Sequence, residues 1–466
     1  MTDVDLLVAG AGGGLAGALR AAQQGLDVLV VDTDPNFRRG NNTSMSTAMV
    51  PGPGSRFQRA AGITDSPQRF LDDVARKTGG TADVRIASAL AHVGAELVEW
   101  LADHVGVPVE LPTDFAYPGH SVPRVHSLPG RHGAALLRHL ADAAEDADRV
   151  DLLVPARLVE VRPRPGGTVC AVVANPDGQH EEITARAVLL ATNGYGADPG
   201  LVGTHLPEIA GATYHGGEHS RGDALRIGAG LGAATGYLDA YQGHAALSAA
   251  ARTLVTWAAV MHGAVVVDTG GRRFGDETRG YSEFAAELAA RPGGRGWMVL
   301  DERIDGLCRS FRDYQDVLDA GAVRTADSAA GLARVLGVPA AALEAELDAL
   351  ARVAGGAGGA GVDVHGRSGV VALRAPLRAV EIVPALFHTQ GGLLVDEHAR
   401  VLDTAGAPVP GLYAAGGAAA GISGHGAAGY LAGNGLLAAL GLSYLAAGHL
   451  ARPVPAARPH APEGAR

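Results

Sequence analysis

VDLLVAGAGGGLAGALRAAQQGLDVLVVD, residues 4–32, is the stretch that decides how the rest of the chain is read. Its first part, VDLLVAG, is an apolar run of strand length. LAGALRAAQQG carries helical spacing and stops at Gly25, and DVLVVD is a second strand. Between the first strand and the helix stand Gly10, Ala11, Gly12, Gly13 and Gly14. Glycines at such a turn let the backbone approach a pyrophosphate, which the helix N-terminus attracts. An acidic residue about 20 positions further on then takes the ribose hydroxyls. Asp32, followed by Thr33, stands at that place. The strict fingerprint would put its third glycine at Leu15. Counted back from the helix, the loop is one residue short and Gly14 takes the third role, so a dinucleotide site is expected here.

The remaining composition excludes several classes of function. At 466 residues the chain exceeds one ordinary core, so two domains are expected. A hydrophobic content of 47% and a mean hydropathy of +0.11 fit a soluble protein with a large buried fraction. The net charge is −11 and Lys77 is the only lysine. No basic cluster or aromatic-basic interleaving marks a nucleic-acid partner. Cys170 and Cys308 form no disulfide framework, haem motif or metal motif, which fits a reducing, cytoplasmic setting and a protein without a bound metal. The N-terminus runs straight into a strand and has no signal-peptide pattern. From Ala405 to Leu450 there is no Asp, Glu, Lys or Arg, but glycines and turn signals break any run of the ~20 apolar residues a span requires, so no membrane span is expected.

Along the chain, helices are expected near 66–78, 84–105 and 133–147, with a Pro/His-rich loop at 108–132 and strands at 151–162, 168–174 and 185–196. From His205 to Leu373 the pattern becomes mixed helices and short strands, closing on a Gly/Ala spacer at 355–361. Strands return at LLVD and GLYAAG, and a last helix runs from Asn434 to His449. This order predicts an α/β protein: a discontinuous Rossmann-like domain of residues 1–204 and 375–466, with an α+β cap of residues 205–374 inserted into it. A second glycine-rich stretch, from His388 in HTQGG to Asn434 in GYLAGN, suggests that both ends of the chain hold one cofactor.

The ordered segments GAGGGLAG…VVDTD, RRGNNTSMST, LLATNGYG, GRRFGDET, HTQGGLLVD, PGLYAAGG and AGYLAGNGLL resemble the FAD-binding flavoproteins of the fumarate reductase and 3-ketosteroid dehydrogenase superfamily over nearly the whole chain. The resemblance implies FAD as cofactor. It places Asn41, Asn42, Thr43 and Ser46 beside the flavin, Ala156 at the adenine, and Thr192, Asn193 and Gly194 on the pyrophosphate side. It puts Gly416, Gly417, Asn434, Leu436 and Leu437 around the ribityl chain and isoalloxazine. Membrane-bound members carry a flavin-linking histidine where Asn42 stands, so the flavin here should be non-covalent.

The two branches differ at their catalytic residues. The fumarate reductase arginine of FDxxxR corresponds to Asp305, with Arg303 two residues away. The carboxylate-clamping arginine of NRLGGN is replaced by Tyr430 in GYLAGN. His244 in YQGHA and His388 in HTQGG remain as in that branch, and either could hydrogen-bond a carbonyl or a single carboxylate. The ketosteroid dehydrogenase pattern implies Tyr281, four residues after its anchor Glu277, as the base at the carbon alpha to a ketone. It implies Tyr430 with the Asn434 backbone N–H as the electrophile on the ketone oxygen, and Tyr117 as an assisting residue. An unassisted phenol has a pKa of ~10, so a base at Tyr281 requires a nearby cation or donor, and Arg279 is the neighbour in sequence. The expected activity is therefore desaturation of a cyclic or steroid-like ketone at a CH–CH bond; the short chain also suits a smaller cyclic ketone. The alternatives are an ene-reductase of an unsaturated acid using His244, His388 and Arg303, and a flavin-binding protein without turnover. The electron partner is unspecified. His425 could face either the flavin or solvent. Arg124 and His126 could meet an anionic substrate but are expected on a surface loop, Asp301–Asp305 at a solvated helix start, and the charges of 341–352 on an exposed helix face.

Overall fold

The computed structural model describes residues 3–113, 117–355 and 361–452. Its first sheet has the strand order Arg400–Leu402, Pro408–Ala414, His180–Leu190, Val4–Ala9, Val28–Val31, Val150–Leu153. The hairpin Arg157–Pro163/Val169–Ala174 is attached through His180–Leu190. Val4–Ala9 lies in the middle, parallel to both neighbours, with Leu7 opposite Leu29 on one side and Val188 on the other. Helices cover it, so its residues read as a continuous apolar run rather than an alternation. Leu6, Leu7, Val8 and Ala9 are buried, each large side chain contributing roughly 1.5–3 kcal/mol.

Gly14–Gln23 packs its small face on the buried C-terminal helix Asn434–Leu450. A Cβ at Gly13 would lie 2.6 Å from the Cβ of Ala439, and one at Gly17 3.0 Å from the Ser443 carbonyl oxygen. These contacts join the two ends of the chain in one layer. No helix among the described residues is long and apolar enough to cross a membrane.

The second sheet is antiparallel at its centre and has the order Tyr241–Ser248, Leu377–Thr389, Gly296–Asp301, Val265–Asp268. Leu377–Thr389, 13 residues long, also pairs with Thr213–Tyr214 and Val323–Ala326. The division expected at residue 375 therefore precedes a strand that pairs throughout within this second sheet. Pro155 splits the single strand expected at 151–162 into Val150–Leu153 and Arg157–Pro163, since proline has no N–H to give a ladder.

Two buried ionic clusters correct the sequence reading. Arg124 and His126 are not on a surface loop: both are buried. Arg124 forks onto Asp65 at 2.8 and 3.0 Å and also donates to Asp73, while Ser55 Oγ and His126 Nε2 share a 2.7 Å hydrogen bond. Asp301–Asp305 is not solvated either. Asp301 caps Ile304 N, and buried Asp305 accepts from Tyr314 Oη at 2.8 Å and from Arg309. Charge in these segments is internal pairing rather than surface. The charges of Ala340–Ala354 do lie on the outer side of that helix, with Leu343 and Leu350 buried.

Candidate active site

One cleft runs from the glycine turn to the second sheet. Gly10, Gly12, Asp32, Thr33, Asn41, Asn42, Thr43, Ser46, Ala156, Thr192, Asn193, Gly416, Gly417 and Leu436 all line it, as do His244, Tyr281, His388 and Tyr430. The parallel strands end at one edge of this cleft, where open α/β sheets bind ligands. Asp32, at the end of Val28–Val31, accepts from Ala11 N at 2.7 Å and Asp34 N at 2.9 Å. Its acidity is nevertheless weakened by burial, which outweighs those two amides. The glycine turn and the acidic residue are thus built as one unit. Asn42 accepts from Asn193 Nδ2 at 2.9 Å and Gly217 N at 2.7 Å and donates to the Phe387 carbonyl at 2.8 Å. Thr192 Oγ1 is buried without a protein partner. A glycine-lined, strand-edge cradle with an unspent hydroxyl suits a dinucleotide.

Four expected residues do not line the cleft. Gly14 supports the loop from beneath: a Cβ there would come 2.6 Å from Val8 Cγ1, so its role is helix–strand packing. Gly194 makes room for the Thr389 side chain, and Leu437 is fully buried in the core. Asn434 is the largest departure. Its backbone N–H donates to the Leu431 carbonyl at 3.1 Å, and its side chain is fully buried. That amide is spent on the turn. Gly435, the next residue, lines the cleft instead, at the end of a helix where N–H groups have no intrahelical acceptor.

At the far end the second sheet sets the geometry. In the ladder between Tyr241–Ser248 and Leu377–Thr389, Gln242 faces His388 and His244 faces Ala385. His244 stacks on Tyr281 (4.6 Å between centroids) and on Phe387 (5.4 Å), with Trp257 edge-on at 5.9 Å. Tyr430 stands 5.9 Å from both Tyr281 and His388. Burial holds His244 at a pKa of about 3, helped by His215, and His388 at about 4 against the Thr389 carbonyl. Both imidazoles are neutral at pH 7. Ala246 N donates to His244 Nδ1 at 3.1 Å, which leaves the ring proton on Nε2.

Burial raises both phenols. Tyr281 is pushed well above its ordinary value, further so by Tyr430, Tyr117 and Glu283. For Tyr430 the Gly435 backbone, the Tyr281 hydroxyl and the Gly433 backbone recover part of the rise. Arg279 does not supply the expected cation. It is exposed and reaches Glu287 at 3.7 Å. Its carbonyl accepts from Lys77 Nζ at 2.8 Å, and Lys77 also pairs with Glu283 at 2.5 Å. Lys77 thus ties Pro67–Thr78 to both sides of Tyr281. Glu277 anchors the same segment, buried between Arg273 and Arg367.

Arg303 is turned away as well: it is exposed and donates to the His262 carbonyl at 2.9 Å. His425 is half exposed, hydrogen-bonded to Asp239 at 2.9 Å, and does not line the cleft. Trp257, Phe387 and Gln390 line it without having been singled out in the sequence. Phe387 and Gln390 flank His388, and this proximity was the available signal. Trp257 had none.

The glycine turn gives a direct test. In a Gly13→Val variant the added side chain must displace Ala439 and the C-terminal helix. The expected product is a folded protein with less than one FAD per chain, read from flavin absorbance after gel filtration.

Comparison with known proteins agrees with this architecture. The family described as FAD binding domain matches residues 5–436. The NADH:fumarate oxidoreductase of Klebsiella pneumoniae (strain 342) is 28% identical over 441 residues, or 90% of this chain. The chain spans 45% of that relative's length. A solved flavocytochrome c3 fumarate reductase in its open conformation superposes with a TM-score of 0.78 at 25% identity, over 96% of this chain and 78% of that one. The 3-ketosteroid-delta4-(5alpha)-dehydrogenase of Rhodococcus jostii RHA1 superposes at 0.74 and 22% identity, over 97% and 98%, a likeness of fold.

Proposed function

We propose, for a chain that belongs to the FAD binding domain family, that it is an oxidoreductase acting on a CH–CH bond and that its substrate is a ketone whose alpha,beta carbon–carbon bond is oxidised or reduced. The observation that carries this reading is the uncharged character of the inner cleft. Tyr430, Tyr281, His388 and His244 present hydroxyls and neutral imidazoles there. Of the arginines that line the cleft, Arg131 stacks on Phe311 and Arg312 pairs with Asp316, while Arg157 pairs with Asp223 at the adenine end. A small dicarboxylate would find two negative charges to place against neutral donors; a ketone oxygen would not.

Gly10, Gly12, Asp32, Thr33, Asn42, Thr43, Ser46, Ala156, Thr192, Asn193, Gly416, Gly417 and Leu436 would hold FAD. Asn42 carries an amide and no nucleophile, so the cofactor is held without a covalent link. When bound, FAD supplies two-electron chemistry, taking a hydride from the beta carbon or returning it. Tyr430 donates its hydroxyl hydrogen to the ketone oxygen, and the developing enolate is stabilised as in an oxyanion hole. Tyr281 takes the proton from the alpha carbon in desaturation and gives it back in reduction.

Because burial and neighbouring phenols hold Tyr281 protonated, the sign of its pH dependence follows. Desaturation needs the phenolate, so its rate should climb by up to about tenfold per pH unit through the alkaline range without levelling near neutrality. Reduction uses the phenol and should stay flat there. A Tyr281→Phe variant should no longer exchange the substrate's alpha proton with deuterated water; wild-type exchange would remove Tyr281 from the mechanism. The protonated phenol favours reduction at neutral pH.

The substrate class is tested with the FAD-loaded protein under anaerobic conditions. Bleaching by a saturated cyclic ketone, or reoxidation of the reduced flavin by its enone, supports the proposal. Reoxidation by fumarate but not by the enone would replace the ketone with an unsaturated acid. A flavin spectrum indifferent to all three would point to a binding protein without turnover.

A further inference from the structure

His388 is held on its Nδ1 side by two residues outside the proposed reaction. Gln390 Nε2 lies 2.8 Å from His388 Nδ1, and Ser423 Oγ donates to Gln390 Oε1 at 2.9 Å. Gln390 and Ser423 are both buried. The backbone around Gln390 is pinned as well: its N–H donates to the Ala240 carbonyl at 2.8 Å, and its carbonyl accepts from Gly421 N at 2.8 Å. Gly421 leaves little space, since a Cβ there would sit 3.1 Å from Gln390 Oε1.

The structure places the amide nitrogen toward the imidazole and the amide oxygen toward the Ser423 hydroxyl. An amide nitrogen donates and never accepts. His388 Nδ1 is therefore the acceptor, and the ring's one proton resides on Nε2. A competing arrangement is present at longer range, because the Thr389 carbonyl lies 3.3 Å from the same Nδ1 and would favour a proton there. The Nε2 edge is the one nearest the start of the C-terminal helix: a Cβ at Gly435 would lie 2.8 Å from it. His388 and Gly435 both line the cleft.

We propose that Gln390, backed by Ser423, is a positioning residue that fixes the tautomer of His388, so that a neutral imidazole presents Nε2–H to the cleft as a donor to the substrate's carbonyl oxygen. The identity of that acceptor rests on the ketone reading above; the tautomer does not. In a histidine whose charge is suppressed by burial, tautomer alone decides whether the group donates or accepts at the substrate. Without Gln390 the Thr389 carbonyl would draw the proton to Nδ1 and turn a lone pair toward the carbonyl oxygen.

The experiment is long-range ¹H–¹⁵N correlation on the full chain, FAD-loaded and labelled with ¹⁵N-histidine, with the His388 signals assigned from a His388→Asn variant. The expected spectrum has the protonated-nitrogen shift on Nε2 and the unprotonated shift on Nδ1. In Gln390→Met the two shifts should move toward the opposite pattern, and Ser423→Ala should move them the same way by less. FAD content and circular dichroism establish that each variant is folded. Where Gln390→Met fails that check, Ser423→Ala carries the decision. A wild-type proton on Nδ1, or unchanged shifts in the folded variants, would overturn the proposal. A ketone-inert enzyme with the expected spectrum would instead leave the tautomer assignment standing and remove the ketone.

Discussion

A Tyr430→Phe variant is expected to lose about 10²–10³ in turnover with a ketone while keeping its FAD, the usual consequence of removing one donor from an oxyanion site. The ring would still pack against Tyr281 and His388 at 5.9 Å, so the cleft keeps its shape and only the hydroxyl is lost. The loss should fall on kcat, because the hydrogen bond strengthens as charge develops on the oxygen. The measurement is single-turnover flavin reduction beside a titration of FAD content. Equal rates in the two proteins would discard Tyr430 as the electrophile and leave His388 as the donor to examine.

An Arg124→Met variant should lose about 3–5 kcal/mol of stability, the range for removing one partner of a buried charge pair. Arg124 serves two buried carboxylates, Asp65 and Asp73, and stacks over Phe70 at 5.1 Å. Arg76, Ser121 and Arg124 together hold Asp73 at a pKa of about 2 despite its burial. With the guanidinium gone, Asp65 loses its forked partner. Urea unfolding should show the midpoint falling with little change in slope. A variant within 1 kcal/mol of the parent, a difference smaller than any unpaired buried charge should produce, would mean that these carboxylates reach water. None of the guanidinium's own partners, Asp65, Asp73, His120 and Phe70, lines the cleft, so FAD content in the folded fraction should be unchanged.

Much of the cleft's lining at the glycine turn was legible in the sequence because its information is local. Glycines at 10 and 12 and the carboxylate at Asp32 sit at fixed distances along one strand–turn–helix unit, and the spacing alone fixes where they meet; Gly14, expected with them, lies beneath the loop against Val8. The chemistry was less legible because it depends on contacts distant in sequence. His244 and His388 come together through the register of two antiparallel strands, which no spacing encodes. Arg279 was a natural cation for Tyr281 by adjacency, yet its side chain is exposed and reaches Glu287 instead. The Asn434 amide matched a motif by counting; the helix start at Gly433 consumed it and exposed Gly435 instead. Arg124 reads as a loop residue from its Pro-rich surroundings, and the two aspartates that bury it lie 51 and 59 positions earlier.

The Lys77 clamp has a practical corollary. It is the sole side-chain amine in 466 residues, and the folded chain keeps it sequestered against Glu283 and the Arg279 carbonyl. Amine-directed reagents, which scatter over most protein surfaces, would here have one internal address besides the chain's α-amine. Its rate of acylation would thus serve as a stopwatch for the parting of Pro67–Thr78 from the segment that carries Tyr281.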